Sequence, residues 1–436
     1  MFNLSPITSQ LTLKLKCYTI VMNIYLSGIG GVGIGPLAEI ALDAGYSVSG
    51  SDLADSLVTN QLRKRQVEIN IGQDGVFLKS KHEAKPIDWF VYPSALPDDH
   101  AELVLARELG IKTAKRDELL AYIIKEKHLK LIAIAGTHGK TTTTGMMIWS
   151  LQQLGIPISY SIGTTMSFGP SGKFDASSEY FIYECDEFDR NFLHFHPNIS
   201  LITAIDYDHT DTYPTKQEYL DAFHDFAEQS GQVMSWADQH GEIFDGLFQV
   251  SLLTNNQVND INLAGLHNRR NATLVQTALL WIGITNDTDK ILESFPGTDR
   301  RFEKLADNLY SDYGHHPTEI AATLQMAREV FDHVVLVYQP HQNIRQHEIK
   351  GDYTNQFELA EEIYWLPTYL SREDPKLEVL KPEELSANLT NKDAVHIAEF
   401  NDELWNNIQA ARQNGKLVLC MGAGEIDGWL RQQLTK

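Results

Sequence analysis

The apolar run Leu131-Ile132-Ala133-Ile134-Ala135 passes directly into Gly136-Thr137-His138-Gly139-Lys140-Thr141-Thr142, and a helical pattern follows to about Gly155. A buried strand, a glycine turn and a helix in immediate succession leave few folds open. Such a chain lays parallel strands side by side and crosses between them by helices. Glycines in the turn let backbone N–H groups approach a phosphate, and the helix start adds positive dipole. In that frame Lys140 reaches the β- and γ-phosphates of a nucleotide and the Thr141 hydroxyl reaches Mg²⁺. The usual spacing sets a glycine six positions before the lysine; Ile134 stands there and Gly136 comes later, so the loop is a shortened variant. A glycine turn with an exposed lysine is the competing reading. The agreement of strand, loop, Gly-Lys-Thr and helix weighs against it.

Strand-like runs alternate with helical patterns from Asn23 almost to the end, which predicts an α/β chain of parallel sheets covered by helices. Its 436 residues exceed one ordinary core and point to two or three domains. New strand–glycine–helix units begin at Ile24 to Gly33, at Leu131 to Lys140, and beyond Pro296, where a helical stretch Pro317 to Val330 precedes the strand Val334 to Tyr338. A charged helical stretch from Asp117 to Lys130 joins the first two, and Phe295-Pro296-Gly297 marks the second boundary. A formal net charge of −22 argues against a nucleic-acid binder but leaves small anionic ligands open. Cys17, Cys185 and Cys420 form no metal-binding or redox pair, which fits a reducing compartment. No apolar stretch reaches the ~18 residues of a membrane span. Met1 to Val21 lacks the unbroken apolar run of a signal peptide, so the cytoplasm is expected.

Ser27-Gly28-Ile29-Gly30-Gly31-Val32-Gly33 also follows a strand, and Asp52 closes the next apolar segment. Alone this is a dinucleotide fingerprint, with Asp52 on a ribose hydroxyl. It suits a diphosphate without saying which nucleotide carries it, and a nicotinamide enzyme would leave the Lys140 loop unexplained. Two acidic clusters end later apolar runs: Glu184-Cys185-Asp186-Glu187-Phe188-Asp189 after Tyr180 to Tyr183, and Asp206-Tyr207-Asp208-His209-Thr210-Asp211 after Ile199 to Ile205. Ligands gather beyond the carboxyl ends of parallel strands, so both clusters can hold Mg²⁺ against ATP. Acidic loops turned to solvent are the alternative. Arg300-Arg301 suits a phosphate, a carboxylate or a plain surface pair. His315-His316 suits a ligand, a base or a helix-start hydrogen bond, and spacing does not choose among these.

Taken in order, these segments resemble the Mur ligase family from about Asn23 to the end. With them go Ser49-Gly50-Ser51-Asp52, His267-Asn268 with Asn271, Arg300-Arg301-Phe302, Asp312-Tyr313-Gly314-His315-His316-Pro317, Gln339-Pro340-His341 and Gly422-Ala423-Gly424. The resemblance implies three domains. A Rossmann-like UDP-sugar domain spans 22–128, a central P-loop ATPase with a mostly parallel sheet spans 129–294, and a Rossmann-like amino-acid and ATP domain spans 295–436. Residues 1–21 carry no family motif and are expected to be an N-terminal extension. The implied activity is an ATP- and Mg²⁺-dependent amide ligation of L-alanine to the lactyl carboxylate of UDP-N-acetylmuramate through an acyl phosphate, in peptidoglycan precursor synthesis. Its partners are those small molecules, with no nucleic acid and no membrane insertion. A ligase that recycles a tripeptide onto the same nucleotide sugar, or an inactive nucleotide-binding relative, is the alternative.

By the same resemblance the UDP-sugar falls to Gly28, Gly30, Gly31, Gly33 and Asp52. ATP falls to Gly136, Thr137, His138, Gly139, Lys140, Thr141, Thr142, Asn268, Arg300 and Asp312. The metal falls to Thr141, Glu184 and His209, and the amino acid to Tyr313, His315, His341 and Arg345. Lys140, His209, Arg300 and His315 are the residues expected to be catalytic. Three departures stand out. Tyr213 to Gly265 is short for the family, Ser311 replaces a commonly acidic residue, and Gln342 replaces an arginine, which leaves Arg345 to anchor the amino-acid carboxylate.

Overall fold

The computed structural model describes residues 21–239, 241–371 and 373–436. The extension expected over residues 1–21 lies outside them apart from Val21. Among the described residues the chain forms three sheets in succession, mostly parallel, each flanked by helices.

The first sheet holds β1 (Asn23–Ser27), β2 (Ser47–Asp52), β3 (Glu68–Ile71), β4 (Trp89–Tyr92) and β5 (Lys112–Lys115) in the order β3-β2-β1-β4-β5, all parallel. Its crossovers are α1 (Ile34–Asp43), α2 (Leu57–Lys64), α3 (Val76–Ala84) and α4 (Ala101–Glu108), and α5 (Arg116–Glu126) leads on. Alternate residues of a strand face opposite sides. Ile24 and Leu26 of β1 accordingly pack with Leu37, Ile40 and Leu119, while Tyr25 packs with Leu78, Phe90 and Leu103 on the other face.

The second sheet contains β6 (Lys130–Ala135), β7 (Ile158–Ser161), β8 (Gly172–Lys173), β9 (Tyr180–Glu184), β10 (Ile199–Ile202), β11 (Val233–Trp236) and β12 (Val250–Leu253). Its order is β12-β11-β10-β6-β9-β7-β8, with only the β7–β8 pair antiparallel. The helices are α6 (Lys140–Gln153), α7 (Lys216–Glu228), α8 (Leu266–Trp281) and α9 (Asp289–Glu293). Ile132 and Ile134 of β6 face α6 and α8, while Leu131, Ala133 and Ala135 join the core that also holds Ile24 and Leu119, so the first two sheets share one continuous apolar cluster. The apolar run expected to reach Ile205 stops as a strand at Ile202. The reason is local: Thr203 turns under the glycine loop, its N–H donating to the Ala135 carbonyl at 3.0 Å and its hydroxyl to the His138 carbonyl.

The third sheet holds β13 (Glu303–Ala306), β14 (Leu309–Asp312), β15 (Val334–Tyr338), β16 (Glu362–Trp365), β17 (Val395–Ile397) and β18 (Leu417–Met421), in the order β13-β14-β18-β15-β16-β17 with an antiparallel β13 edge. Its helices are α10 (Pro317–Val330), α11 (Asn343–Ile349), α12 (Pro382–Ser386), α13 (Asp402–Gln413) and α14 (Ile426–Leu434). Pro317 occupies the first turn of α10, where its missing N–H is unneeded and its fixed φ suits the helix. That start sets His315 and His316 just ahead of the helix, beyond the carboxyl end of β14. No helix among the described residues is long and apolar enough to cross a membrane.

Candidate active site

The glycine loop between β6 and α6 requires two of its glycines. Gly136 has φ +128, and a Cβ there would stand 2.5 Å from Thr203 Oγ1 and 2.7 Å from the Ala204 carbonyl; Gly139 has φ +82. Both backbones lie where side-chain residues are strained. The Thr137 N–H donates to the Ala204 carbonyl at 2.7 Å and its hydroxyl to the Asp206 carbonyl at 2.8 Å, fixing the loop to the segment after β10. Lys140 Nζ folds back to the Gly136 carbonyl at 2.5 Å and to Glu187 Oε2 at 2.8 Å. Glu187 is fully buried. Burial alone would raise its pKa, but Lys140 and His209 hold it below the usual carboxylate range.

The expected metal residues divide into two adjoining groups. The Thr141 hydroxyl donates to Glu184 Oε1 at 2.6 Å, and Glu184 Oε2 accepts the Gly163 N–H at 2.8 Å. His209 Nε2 lies 3.6 Å from Glu187 Oε1, and His209, Glu187 and Asp186 hold their ligand atoms within 4.8 Å of one another. Burial works against charge on His209, yet Glu187 and Asp208 raise its pKa.

His138 reaches across to the third sheet. Its Nε2 lies 3.0 Å from Asp206 Oδ2, its Nδ1 lies 3.3 Å from Glu319 Oε1 on α10, and its ring packs 4.8 Å from that of His316. Burial opposes the charged form, but the two carboxylates prevail and raise its pKa to about 9. Glu319 also accepts the His315 N–H at 3.0 Å and pairs with Arg301 at 3.6 Å. His315 is different: burial lowers its pKa to about 3, so it is neutral at pH 7, with Nδ1 3.1 Å from the Tyr313 carbonyl.

Two cavities meet at this loop. The larger, about 800 Å³, is lined by His138, Gly139 and Thr142 on one side, His267 and Asn268 of α8 on another, and Arg301, Asp312 and Glu319 on the third. The smaller, about 500 Å³, takes residues from all three parts of the chain: Gly33 and Arg116, then Lys140, Thr141, Glu184 and His209, then Arg300, Tyr313, His315 and Arg345. Gly139, Arg301 and Glu319 line both. These volumes suit small-molecule ligands.

Other expected residues are occupied by the protein itself. Asp312 accepts the Phe302 N–H at 2.8 Å and the Gly314 N–H at 2.7 Å, shaping the loop that carries Arg300 and Arg301. Both of those guanidinium groups lie over the Tyr313 ring, at 4.6 and 5.2 Å. Asn268 Nδ2 donates to the Ala264 carbonyl at 3.0 Å. Arg345 Nη2 pairs with Asp208 at 3.2 Å. His341 stacks on Tyr369 at 5.6 Å and packs 5.5 Å from His315; it lines neither cavity. In the first loop Asp52 Oδ2 accepts the Gly30 N–H at 2.7 Å, and a Cβ on Gly30 would stand 2.7 Å from Ser56 Oγ and from Thr59 Cγ2. Of that loop's expected residues only Gly33 reaches the smaller cavity; Gly28, Gly30, Gly31 and Asp52 do not line it. Ser311 donates to Asp427 Oδ1 at 2.8 Å, so an acid at 311 would face a carboxylate. His209, Arg300 and Gln342 all have left-handed backbones, with φ of +58, +59 and +62, strain of the kind that gathers at functional sites.

Arg116, Glu187 and Glu319 were given no role from sequence. Arg116 stands in the charged run Lys115-Arg116-Asp117-Glu118, which reads as an ordinary helix start. Glu187 belongs to an acidic cluster that as a whole suits Mg²⁺, and Glu319, two residues after the helix-starting Pro317, reads as a helix cap rather than a site residue.

Three family models match successive stretches: "Mur ligase family, catalytic domain" over residues 23–128, "Mur ligase middle domain" over 134–251, and "Mur ligase, glutamate ligase domain" over 300–424. A UDP-N-acetylmuramate–L-alanine ligase of Desulfosudis oleivorans is 31% identical over 456 residues, covering 94% of this chain and 97% of that protein. One from Clostridium beijerinckii is 32% identical, covering 92% and 95%. Among solved structures, the UDP-N-acetylmuramate–alanine ligase of Thermotoga maritima has the same fold, with a TM-score of 0.72 at 24% identity over 95% of this chain and 100% of its own. A murein peptide ligase of Psychrobacter arcticus follows at a TM-score of 0.61 and 23% identity, covering 95% and 98%.

Proposed function

Because the chain belongs to the Mur ligase family, we propose that it joins L-alanine to the lactyl carboxylate of UDP-N-acetylmuramate, converting ATP to ADP and phosphate. It does so in the cytoplasm, in peptidoglycan precursor synthesis. The observation that carries this reading is the meeting of two cavities at Gly139, Arg301 and Glu319, beside Lys140. One cavity takes ATP, the other takes the muramyl and amino-acid groups, and the γ-phosphate lies where they join. Relatives matched over nearly their whole length bear the name of this activity. We divide the chain into a UDP-sugar domain over 22–128, an ATPase domain over 129–294 and an amino-acid and ATP domain over 295–436.

A carboxylate and an amine do not condense usefully in water, because the leaving group is poor. A lactyl oxygen therefore attacks the γ-phosphorus, the bond from γ-phosphorus to the bridging oxygen breaks, and ADP leaves. The alanine amine, having lost a proton, then attacks the acyl carbon and phosphate departs. Protein help in such transfers is mostly positioning and charge stabilisation. Lys140, kept protonated by Glu187, neutralises charge on the transferring group. Mg²⁺ would be held between two adjoining groups, Thr141 with Glu184 and His209 with Asp186 and Glu187, whose oxygens suit that ion. A metal held there would supply neutralisation of phosphate charge. The Tyr313 carbonyl accepts from His315 Nδ1–H in the neutral tautomer, which leaves His315 Nε2 to accept a hydrogen bond from the incoming amine. Asp208 to Arg345 and His138 to Glu319 link the second and third parts around the site, where an acyl phosphate needs protection from water.

Phosphate release tests the reading. Fast release requires ATP, UDP-N-acetylmuramate and L-alanine together. Release independent of the nucleotide sugar ends the proposal, and a preference for L-alanyl-D-glutamyl-diaminopimelate over L-alanine replaces it with the recycling activity.

A further inference from the structure

Among the cations that line the smaller cavity, only Arg116 comes from the first of the three parts of the chain. Its guanidinium is fixed along one edge. Nε and Nη2 donate to Asp117 Oδ2 and Oδ1, both at 3.1 Å, and Nη2 also reaches the Tyr183 hydroxyl at 3.5 Å. The Tyr183 hydroxyl donates to the same Asp117, which is 1% exposed. The other edge is free: Nη1 has no hydrogen-bond partner among the described residues. It lies over the Gly33 turn, where a Cβ would stand 2.8 Å away. A side chain at position 33 would therefore push the guanidinium aside. A held guanidinium with unused, preoriented donors is what a phosphate oxygen requires.

We propose that Arg116 Nη1, with the Gly33 turn beneath it, binds a phosphate oxygen of the nucleotide-sugar diphosphate. The proposal rests on the reading of the chain as a UDP-sugar ligase. Position within the cavity selects the diphosphate over the other anions. Neither Arg116 nor Gly33 lines the larger cavity, and within the smaller one both come from the first part of the chain, whereas Lys140 and Thr141, assigned to the ATP phosphates, come from the second. The lactyl carboxylate must reach the γ-phosphate on the Gly139 side, which leaves the Val32, Gly33 and Pro36 side to the diphosphate.

Calorimetric titration of the full chain with UDP and with uridine tests this. Arg116→Gln is expected to weaken UDP binding at least tenfold and Arg116→Lys by less, while uridine binding and the binding of a non-hydrolysable ATP analogue change by less than twofold. Gly33→Ala, which only displaces the guanidinium, is expected to reproduce the UDP loss, so a folding failure of Arg116→Gln does not protect the idea. Equal UDP affinity in wild type, Arg116→Gln and Gly33→Ala overturns it. So does weakening confined to UDP-N-acetylmuramate with UDP unaffected, which assigns Arg116 to the lactyl carboxylate. If wild type binds no UDP at all, the ligase reading fails with it; if wild type binds UDP and the variants do too, the Arg116 assignment falls alone.

Discussion

Arg345 Nη2 stands 3.2 Å from Asp208 Oδ1, so the arginine offered as anchor for the amino-acid carboxylate already holds a carboxylate from the central sheet. Burial alone would raise the Asp208 pKa, but Arg345 outweighs it and keeps the group far below its ordinary value. The guanidinium is thus positioned before substrate arrives, with its charge shared.

Arg345→Ala is expected to raise the Michaelis constant for L-alanine at least tenfold and that for ATP by less than threefold. Gln342 offers only a neutral amide beside it, so glycine and L-serine should compete better than in a relative with two arginines. Steady-state kinetics with each amino acid checks both statements, and an unchanged L-alanine dependence would move the anchor elsewhere.

Lys140→Ala removes a contact made chiefly in the transition state, so turnover should fall on the order of a thousandfold. Binding of UDP-N-acetylmuramate should stay within threefold, because the first glycine loop belongs to another sheet. Near-normal turnover would sink the assignment of the β6–α6 loop.

The contact of His138 with Asp206 and Glu319 is expected to weaken in alkali. The folded pKa is about 9 against an ordinary 6.5. A raised pKa contributes stability that is complete below pH 6.5 and is lost as pH rises through 9. The melting temperature of wild type should therefore drop more between pH 6.5 and 9.5 than that of His138→Asn. Parallel curves for the two proteins would refute the protonated bridge.

Glu102 is 1% exposed and accepts the hydroxyls of Tyr25, Ser27 and Ser51, each at 2.7 Å. Glu102→Ala strands these donors in the first sheet and should cost on the order of 3 kcal/mol. Calorimetry should register this as an earlier transition, and an unshifted profile would mean that the hydroxyls find new partners.

The β6–Gly136–Lys140 unit was legible because its signals are contiguous: an apolar run, a turn that only glycine tolerates, and a helix. Strands β1 and β15 were legible as short apolar runs, buried along their whole length. The pairings that build the site were not. Lys140 with Glu187, His138 with Glu319 and Arg345 with Asp208 join residues on separate elements, and a linear chain carries no distance between them. Asp312 shows the converse. It lines the larger cavity, which the proposal gives to ATP, and its carboxylate also closes a local loop onto Phe302 and Gly314, a second role that composition does not distinguish from ligand binding.

The wall that Gly139, Arg301 and Glu319 share between the two cavities has a pharmacological consequence. A single compound carrying an adenosine-like head and a short acidic arm could enter both chambers with little linker. The second half would then bind at an effective concentration in the millimolar range, multiplying two modest affinities without any new contact. Both halves would have to leave together, so its advantage should appear in residence time more than in association rate.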